Sequence, residues 1–350
     1  MAITLTSLTQ LADLGFDDII DVRAPAEWAD DHLPGAMNLP VLDDTERALV
    51  GTIYKQDSPF RARKVGAALV AANAARHLQG ALADKPGGWR PLVYCWRGGQ
   101  RSGSFASILG PIGWRVETVA GGYKAWRALV INALYEQGFP APVVVLDGNT
   151  GSAKTEILAR LAALGVQVLD LEGLARHRGS IFGAMPGGQP SQKAFEGALA
   201  MQMTRFDPTR VVVVEAESSK VGNCRVPPGL WKAMQAAPRV TIAAPLAERA
   251  AYLVRAYGDL VADDARLSAV IGLLRGQHPT EVVDGWQRMA AQGDHTDLAA
   301  DLMAQHYDPR YAKHRARSAA HPHEIKAELL DDAGLDRLTG ELASLLPRLT

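Results

Sequence analysis

The run APVVVLDGNTGSAKTEILARLAAL, from Ala141 to Leu164, constrains the fold more than any other stretch of the chain. Val143 to Leu146 are consecutive apolar residues, mostly β-branched, and read as a buried strand. The glycine-rich turn that follows ends the strand, and from Lys154 the apolar residues recur at helical spacing. A buried strand that turns directly into an amphipathic helix is half of a βαβ unit, which calls for a parallel sheet. VQVLDLEGLARH, RVVVVEAES and RVTIAAPLAERAAYLVRAY continue the alternation. Upstream, DDIIDVR (Asp17 to Arg23) and PLVYC (Pro91 to Cys95) read as buried strands, and Arg61 to Leu82 as an alanine-rich amphipathic helix. The expected fold is α/β with two domains. YEQGFPAP (Tyr135 to Pro142), with its glycine and prolines, marks the boundary, giving 1–137 and 138–350. After about Ala247 the pattern is mostly helical.

Composition narrows the class. With 350 residues, 47% hydrophobic and 21% charged, the chain suits about two ordinary globular domains. A net charge of -1 gives no global field toward nucleic acid or membrane, so an RNA partner needs a local basic patch. Two cysteines make no disulfide framework, and without a C-x-x-C pair no metal site is expected. The N-terminus has no basic region before a long apolar core, and no apolar run approaches the roughly 20 residues of a membrane helix. A monomer in a reducing cytoplasm, with no membrane partner, is expected.

PLVYCWRGGQRSGSFA places Cys95 at the end of a strand, with Trp96, Arg97, Gly98, Gly99 and Gln100 forming a loop that opens onto a helix. Successive backbone N–H groups and the helix dipole make such a loop an anion nest. Arg101 can close it with a bidentate grip on an oxyanion. The same field favours a thiolate at Cys95, and hence a nucleophile. Two chemistries share this geometry: a phosphatase, and a rhodanese that accepts sulfur or selenium. The five residues between Cys95 and Arg101 match the larger loop of cysteine phosphatases, and loop size alone leaves both open. Cys224, without such a nest, reads as structural.

VVVLDGNTGSAKTEIL has the spacing of a Walker A loop, with Gly148, Gly151, Lys154 and Thr155 in place and Ser152 between them. Ala153 stands at the second motif glycine, where its methyl is expected to crowd the phosphates or restrict φ. Backbone donors and Lys154 still suit a diphosphate. Glu215, or alternatively Glu217, ends a second strand where an acidic partner of that loop would stand.

Three segments, DIIDVRAPAEWADDHLPGAMNLP, the cysteine loop and VAGGYKAWRALV, resemble the rhodanese domain in the expected order. With LDGNTGSAKT, DLEGLARHRGSIFG, VVEAESSKVG and HYDPRY, the chain resembles the bacterial tRNA 2-selenouridine synthases from about Leu11 to Tyr311. The resemblance implies an N-terminal rhodanese-like parallel-sheet domain followed by a P-loop NTPase-like α/β domain with a helical C-terminal region. It implies a transferase that replaces the sulfur of wobble 2-thiouridine in tRNA by selenium. Selenophosphate would be the donor, and S-geranyl-2-thiouridine, made from geranyl diphosphate, the intermediate. Cys95 would carry selenium as a perselenide, and the glycine loop would hold the diphosphate, with Mg²⁺ compatible and no tightly bound cofactor. Arg176, His177 and Arg178, and the basic segment from Arg310 to His323, are the expected phosphate contacts for tRNA. The alternative is a cysteine-dependent phosphatase of rhodanese fold with an accessory nucleotide-binding domain.

Overall fold

The computed structural model describes residues 1–315 and 323–349. The chain forms two units: Met1–Gly138 with Pro190–Arg205, and Phe139–Gln189 with Phe206–Thr350. In the first, the parallel strands β1 (Ala2–Ile3), β2 (Asp18–Asp21), β3 (Ala36–Asn38), β4 (Pro91–Tyr94) and β5 (Glu117–Val119) lie in the order β1-β5-β4-β2-β3. β4 is central and wholly buried, which is why its sequence is an unbroken apolar run. Ile20, Val22, Val93, Phe105 and Leu109 join in one core. Arg23 lies inside too. It pairs with Asp21 at 2.6 Å and sits over the Tyr123 ring, 4.1 Å from its centroid, so the buried charge is matched.

The helix Gln192–Met203 belongs to this first unit, although its sequence lies within the second. Buried Glu196 pairs with Arg127 and accepts a hydrogen bond from Tyr135 Oη at 2.7 Å, while Lys193 meets Asp30 at 2.5 Å. One cut at 137/138 therefore does not describe the chain. Turn signals bracket residues 190–205, PGGQP (Pro186 to Pro190) before and Asp207-Pro208 after, but they do not say which unit the helix joins, because its partners lie 61 to 163 residues away.

The second unit has β6 (Val143–Gly148), β7 (Gln167–Leu169), β8 (Val212–Glu215), a small antiparallel hairpin of β9 (Lys220–Val221) and β10 (Cys224–Arg225), then β11 (Arg239–Ala243) and β12 (His323–Lys326). Its parallel sheet runs β12-β11-β6-β8-β7, with all six residues of central β6 buried. The α/β class with a helical C-terminal region is the one expected. Helices begin at Leu246, but the chain then returns to the sheet as β12, and the helix Asp332–Leu345 joins the core beside the helix Lys154–Ala163. β12 reads HEIK, with only Ile325 buried, and such an edge strand has no apolar run to announce it. Among the described residues no helix is long and apolar enough to cross a membrane.

Candidate functional site

In the first unit, β4 delivers Cys95 to the carboxyl edge of the sheet, where open α/β sheets bind ligands. The thiol is buried, and the loop folds over it. Gly99 N–H donates to Sγ at 3.4 Å and Ser102 Oγ–H at 3.2 Å. Burial pushes the thiol pKa up, but the bonds from Ser102 and Gly99 and the charge of Arg101 outweigh it and hold Cys95 below the ordinary value. Cys224, also buried, accepts from Gln189 Nε2 at 3.7 Å, and burial pushes its pKa up.

Close backbone approach shapes this loop. Gly98 has φ +64°, and a Cβ there would stand 2.3 Å from Val119 O; one on Gly122 would stand 2.2 Å from Cys95 O. Tyr123 N–H donates to Cys95 O at 2.8 Å and Lys124 N–H to Trp96 O at 3.1 Å. Gly121-Gly122-Tyr123, in the VAGGYKAWRALV segment, is thus the wall behind the cysteine loop. Trp96 lies against Tyr123, while Arg97, Gly99 and Gln100 are exposed, and Gln100 opens the helix Gln100–Leu109.

Arg101 is engaged. Its guanidinium donates to both oxygens of Glu27, at 2.6 and 3.2 Å, and Arg47 Nε meets the same carboxylate at 3.1 Å. Burial raises the Glu27 pKa, yet the Arg101 pair prevails and keeps it below the usual carboxylate range. Any oxyanion gripped by Arg101 competes with Glu27. Sequence patterns assign neither Ser102 nor Glu27 a role; their signals are a serine directly after Arg101 and an acid before Trp28.

In the second unit, β6 runs into the glycine turn and the helix Lys154–Ala163. A Cβ on Gly151 (φ +83°) would meet Arg249 O at 2.6 Å, and one on Gly148 would meet Ser152 Oγ at 2.3 Å, with Ser152 buried beneath. Ala153 departs from the expectation of restricted φ. It adopts φ 60° and ψ 24°, the conformation glycine would take, with its side chain in the core beside Val144 and Ile157. The left-handed backbone costs about 1–2 kcal/mol. Lys154 Nζ donates to Gly148 O at 2.9 Å. Burial lowers its pKa, but Tyr311, Glu172, Glu217 and Asp147 raise it more, so the ammonium stays charged. Thr155 Oγ1 donates to Glu172 at 3.2 Å.

A cavity of about 910 Å³ opens here, lined by Lys154, Thr155, Glu172, Arg178, Glu217, Tyr257 and Arg310 among others. Glu217 faces it, and burial with the neighbouring Glu172 carboxylate pushes its pKa up. Glu215 stands behind the wall instead. It ends β8, is buried, accepts Glu172 N–H at 2.8 Å, and burial holds its pKa well above the carboxylate range. Of the expected RNA contacts, Arg178 lines the cavity, held by Asp259 at 2.8 Å and stacked over Tyr257. Arg176 is exposed, and His177 is half-buried. Residues 316–322 of the Arg310–His323 segment lie outside the described residues. Arg310 itself lines the cavity, resting on His306, which in turn meets His278 at 2.8 Å. Burial, Arg310 and His278 bring the His306 pKa down to about 4, so its ring is neutral at pH 7.

HYDPRY also explains the glycine turn. Asp308 accepts from Asn149 Nδ2 at 2.9 Å and from Arg249 at 2.8 and 3.0 Å, and Arg249 donates to Thr150 O at 3.1 Å. A narrow apolar recess of about 60 Å³ adjoins the cavity. It shares Thr150, Ser180, Tyr257 and Tyr307 with it and is walled by Phe182, Leu260, Leu267, Leu298 and Leu302.

Residues 4–129 match the model of the rhodanese-like domain, and residues 141–278 that of the tRNA 2-selenouridine synthase AAA domain. A tRNA 2-selenouridine synthase of Hahella chejuensis (strain KCTC 2396) is 35% identical over 331 residues, 84% of either chain. One of Aeromonas salmonicida (strain A449) is 40% identical over 254 residues, 71% of this chain and 67% of that one. One of Pseudomonas syringae pv. syringae (strain B728a) is 33% identical over 334 residues, 86% of this chain and 89% of that one. The likeness thus spans both the cysteine loop and the glycine turn, and the chain belongs to the tRNA 2-selenouridine synthase family.

Proposed function

We propose that this protein replaces the sulfur of wobble 2-thiouridine in tRNA by selenium from selenophosphate, by way of an S-geranyl intermediate made from geranyl diphosphate. One observation carries the reading. A chain of this family joins a cysteine of lowered pKa, in a phosphate-sized loop, to a lysine-bearing glycine turn. In the first step the thiouridine sulfur takes the geranyl carbon and diphosphate leaves. Lys154 and the backbone donors of the turn neutralise the departing diphosphate, which needs no ATP. The apolar recess beside Thr150 and Tyr257 suits the hydrocarbon chain, which gains by leaving water. Thr155, Glu172 and Glu217 supply oxygen donors of the kind hydrated Mg²⁺ takes; bound there, the ion would offset diphosphate charge.

Electron balance assigns Cys95. Selenium is selenide in selenophosphate and remains so in the product. Selenium attacks C2, the C2–Se bond forms, the C2–S bond breaks, and geranylthiolate leaves. The Se–P bond must then be cut. Cys95 thiolate attacks phosphorus, the Sγ–P bond forms, and the selenouridine departs with the Se–P electron pair. Water then releases phosphate from the cysteine. Attack on selenium itself would leave that pair on phosphorus, as phosphite, so a perselenide with release of phosphate does not balance. Cys95 therefore takes the phosphoryl group, and Arg101, exchanging Glu27 for its oxygens, steadies it. The test is rapid acid quench of a turnover mixture followed by mass spectrometry of the Cys95 peptide. Phosphate on the cysteine is expected; a selenium adduct would overturn the phosphoryl route. A Cys95→Ser protein that still makes 2-selenouridine would overturn the reading as a whole.

A further inference from the structure

Between β3 and β4 the first unit carries two helices, Asp44–Gln56 and Pro59–Gln79, joined through Asp57 and Ser58. The cysteine chemistry leaves their tip unused, yet the tip is built like a contact surface. Residues 54–64 read YKQDSPFRARK, with four cations (Lys55, Arg61, Arg63, Lys64) and one acid (Asp57), in a chain of net charge -1. Arg61 is tied to Asp57 at 2.5 Å. Tyr54 is 58% exposed and Phe60 71% exposed, against the rule that large rings seek the core. Rings in water among cations suit unpaired bases, which stack on them, and the phosphates between those bases.

A second observation points the same way. Gly51 sits mid-helix, where glycine is less stable than alanine. Gly66, on the facing helix, at least meets the Val50 side chain, 3.5 Å from where its Cβ would be, whereas a Cβ on Gly51 meets nothing within 4 Å. Packing within the protein does not ask for glycine at 51. A residue without a side chain there leaves the helix surface open to close approach. Arg47, Gly51, Tyr54 and Lys55 follow helical spacing and so form one stripe. Arg47 touches Glu27, which holds Arg101 of the cysteine loop. From Arg47 the stripe runs two turns, about 10 Å, to Tyr54.

We propose that this stripe and tip dock the single-stranded loop of the RNA substrate. Tyr54 and Phe60 stack on unpaired bases, Lys55, Arg63 and Lys64 pair with phosphates, and Gly51 lets the strand lie against the helix. The inference rests on the tRNA reading above and adds where that RNA is held.

The test uses fluorescence anisotropy of the full chain with a labelled RNA stem-loop, beside the same stem closed as a blunt duplex. Y54A/F60A should weaken stem-loop binding about tenfold or more and leave duplex binding unchanged. K55Q/R63Q/K64Q should flatten the slope of log affinity against log salt by about 2. Gly51→Ala should raise the melting temperature, since its methyl meets open space, while Gly51→Glu should weaken the stem-loop complex in a folded protein. Stem-loop affinity unchanged in Y54A/F60A, or lost equally on stem-loop and duplex, would overturn the proposal and leave the tRNA reading standing; the first of these leaves a protein partner as the tip's occupant. If the unmodified protein binds the stem-loop no better than heparin, the tRNA reading falls, and this docking surface with it.

Discussion

The two units carry anion cradles of the same plan, a buried central strand, a tight turn and a helix, yet they differ in what the cradle does to charge. In the first, donors converge on a sulfur. Ser102 and Gly99 stabilise Cys95 as thiolate, and the cation that should meet an incoming anion is already restrained by Glu27. In the second, a charged amine lies among Glu172, Glu217 and Asp147, of which Glu217 is pushed toward the neutral acid. On the function proposed above, one cradle attacks and the other holds and neutralises. The glycines differ likewise. Gly98 and Gly122 are forced by backbone atoms within 2.3 Å of their missing Cβ, whereas Ala153 shows that the second turn takes a methyl at a position where glycine is usual.

The sharpest way to break this division is Cys95→Ser. Selenation should be abolished while S-geranylation, measured by nucleoside mass spectrometry, proceeds. Loss of both would mean that the cradles do not divide the work. Lys154→Ala should do the reverse. It should block geranylation of plain 2-thiouridine RNA, but RNA that is already geranylated should be converted, with or without ATP. Equal failure on both substrates would move Lys154 into selenation or RNA binding.

Arg101→Ala should raise the KM for selenophosphate about ten- to a hundredfold, the worth of a charge-assisted bidentate contact, with RNA affinity unchanged. A KM that does not move would leave Arg101 as the partner of Glu27 alone. Ser102→Ala tests how the thiolate is made. Its hydroxyl lowers the Cys95 pKa, so its removal raises that pKa, and the acidic limb of the pH–rate profile should shift to higher pH and recover above it. A uniform fall at every pH, with no shift, would make Ser102 structural. The smallest effect belongs to Ala153→Gly. Relief of the left-handed strain is offset by glycine's added freedom when unfolded and by the lost burial of a core methyl, leaving a net change of about 1 kcal/mol or less. In calorimetry that is a shift of roughly 2–4 °C at most, with geranylation unchanged.

Much of both cradles is legible in the sequence, because it is local. Val143 to Leu146 and Pro91 to Tyr94 are apolar runs of strand length, and the glycine spacing after each announces the turn. Cys95, Lys154 and Thr155 follow from position within those turns. The partners do not. Glu27 lies 74 residues before Arg101, and Asp308 lies 159 residues after the Asn149 it steadies. Glu215 and Glu217 stand equally well in the sequence, and only the direction of each side chain at the end of β8 separates a buried acid from one facing the cavity.

The sequence by itself determined the class of fold, the order of the two turns and the place of Cys95 and Lys154 within them. Strand period, helix period and glycine's access to positive φ act over a few residues and are written in them. Tertiary structure alone decided which carboxylate meets which cation, that β12 completes the second sheet, and that residues 190–205 join the first unit. Those choices rest on ion pairs and hydrogen bonds between residues far apart along the chain, where separation in sequence carries no information about distance in space.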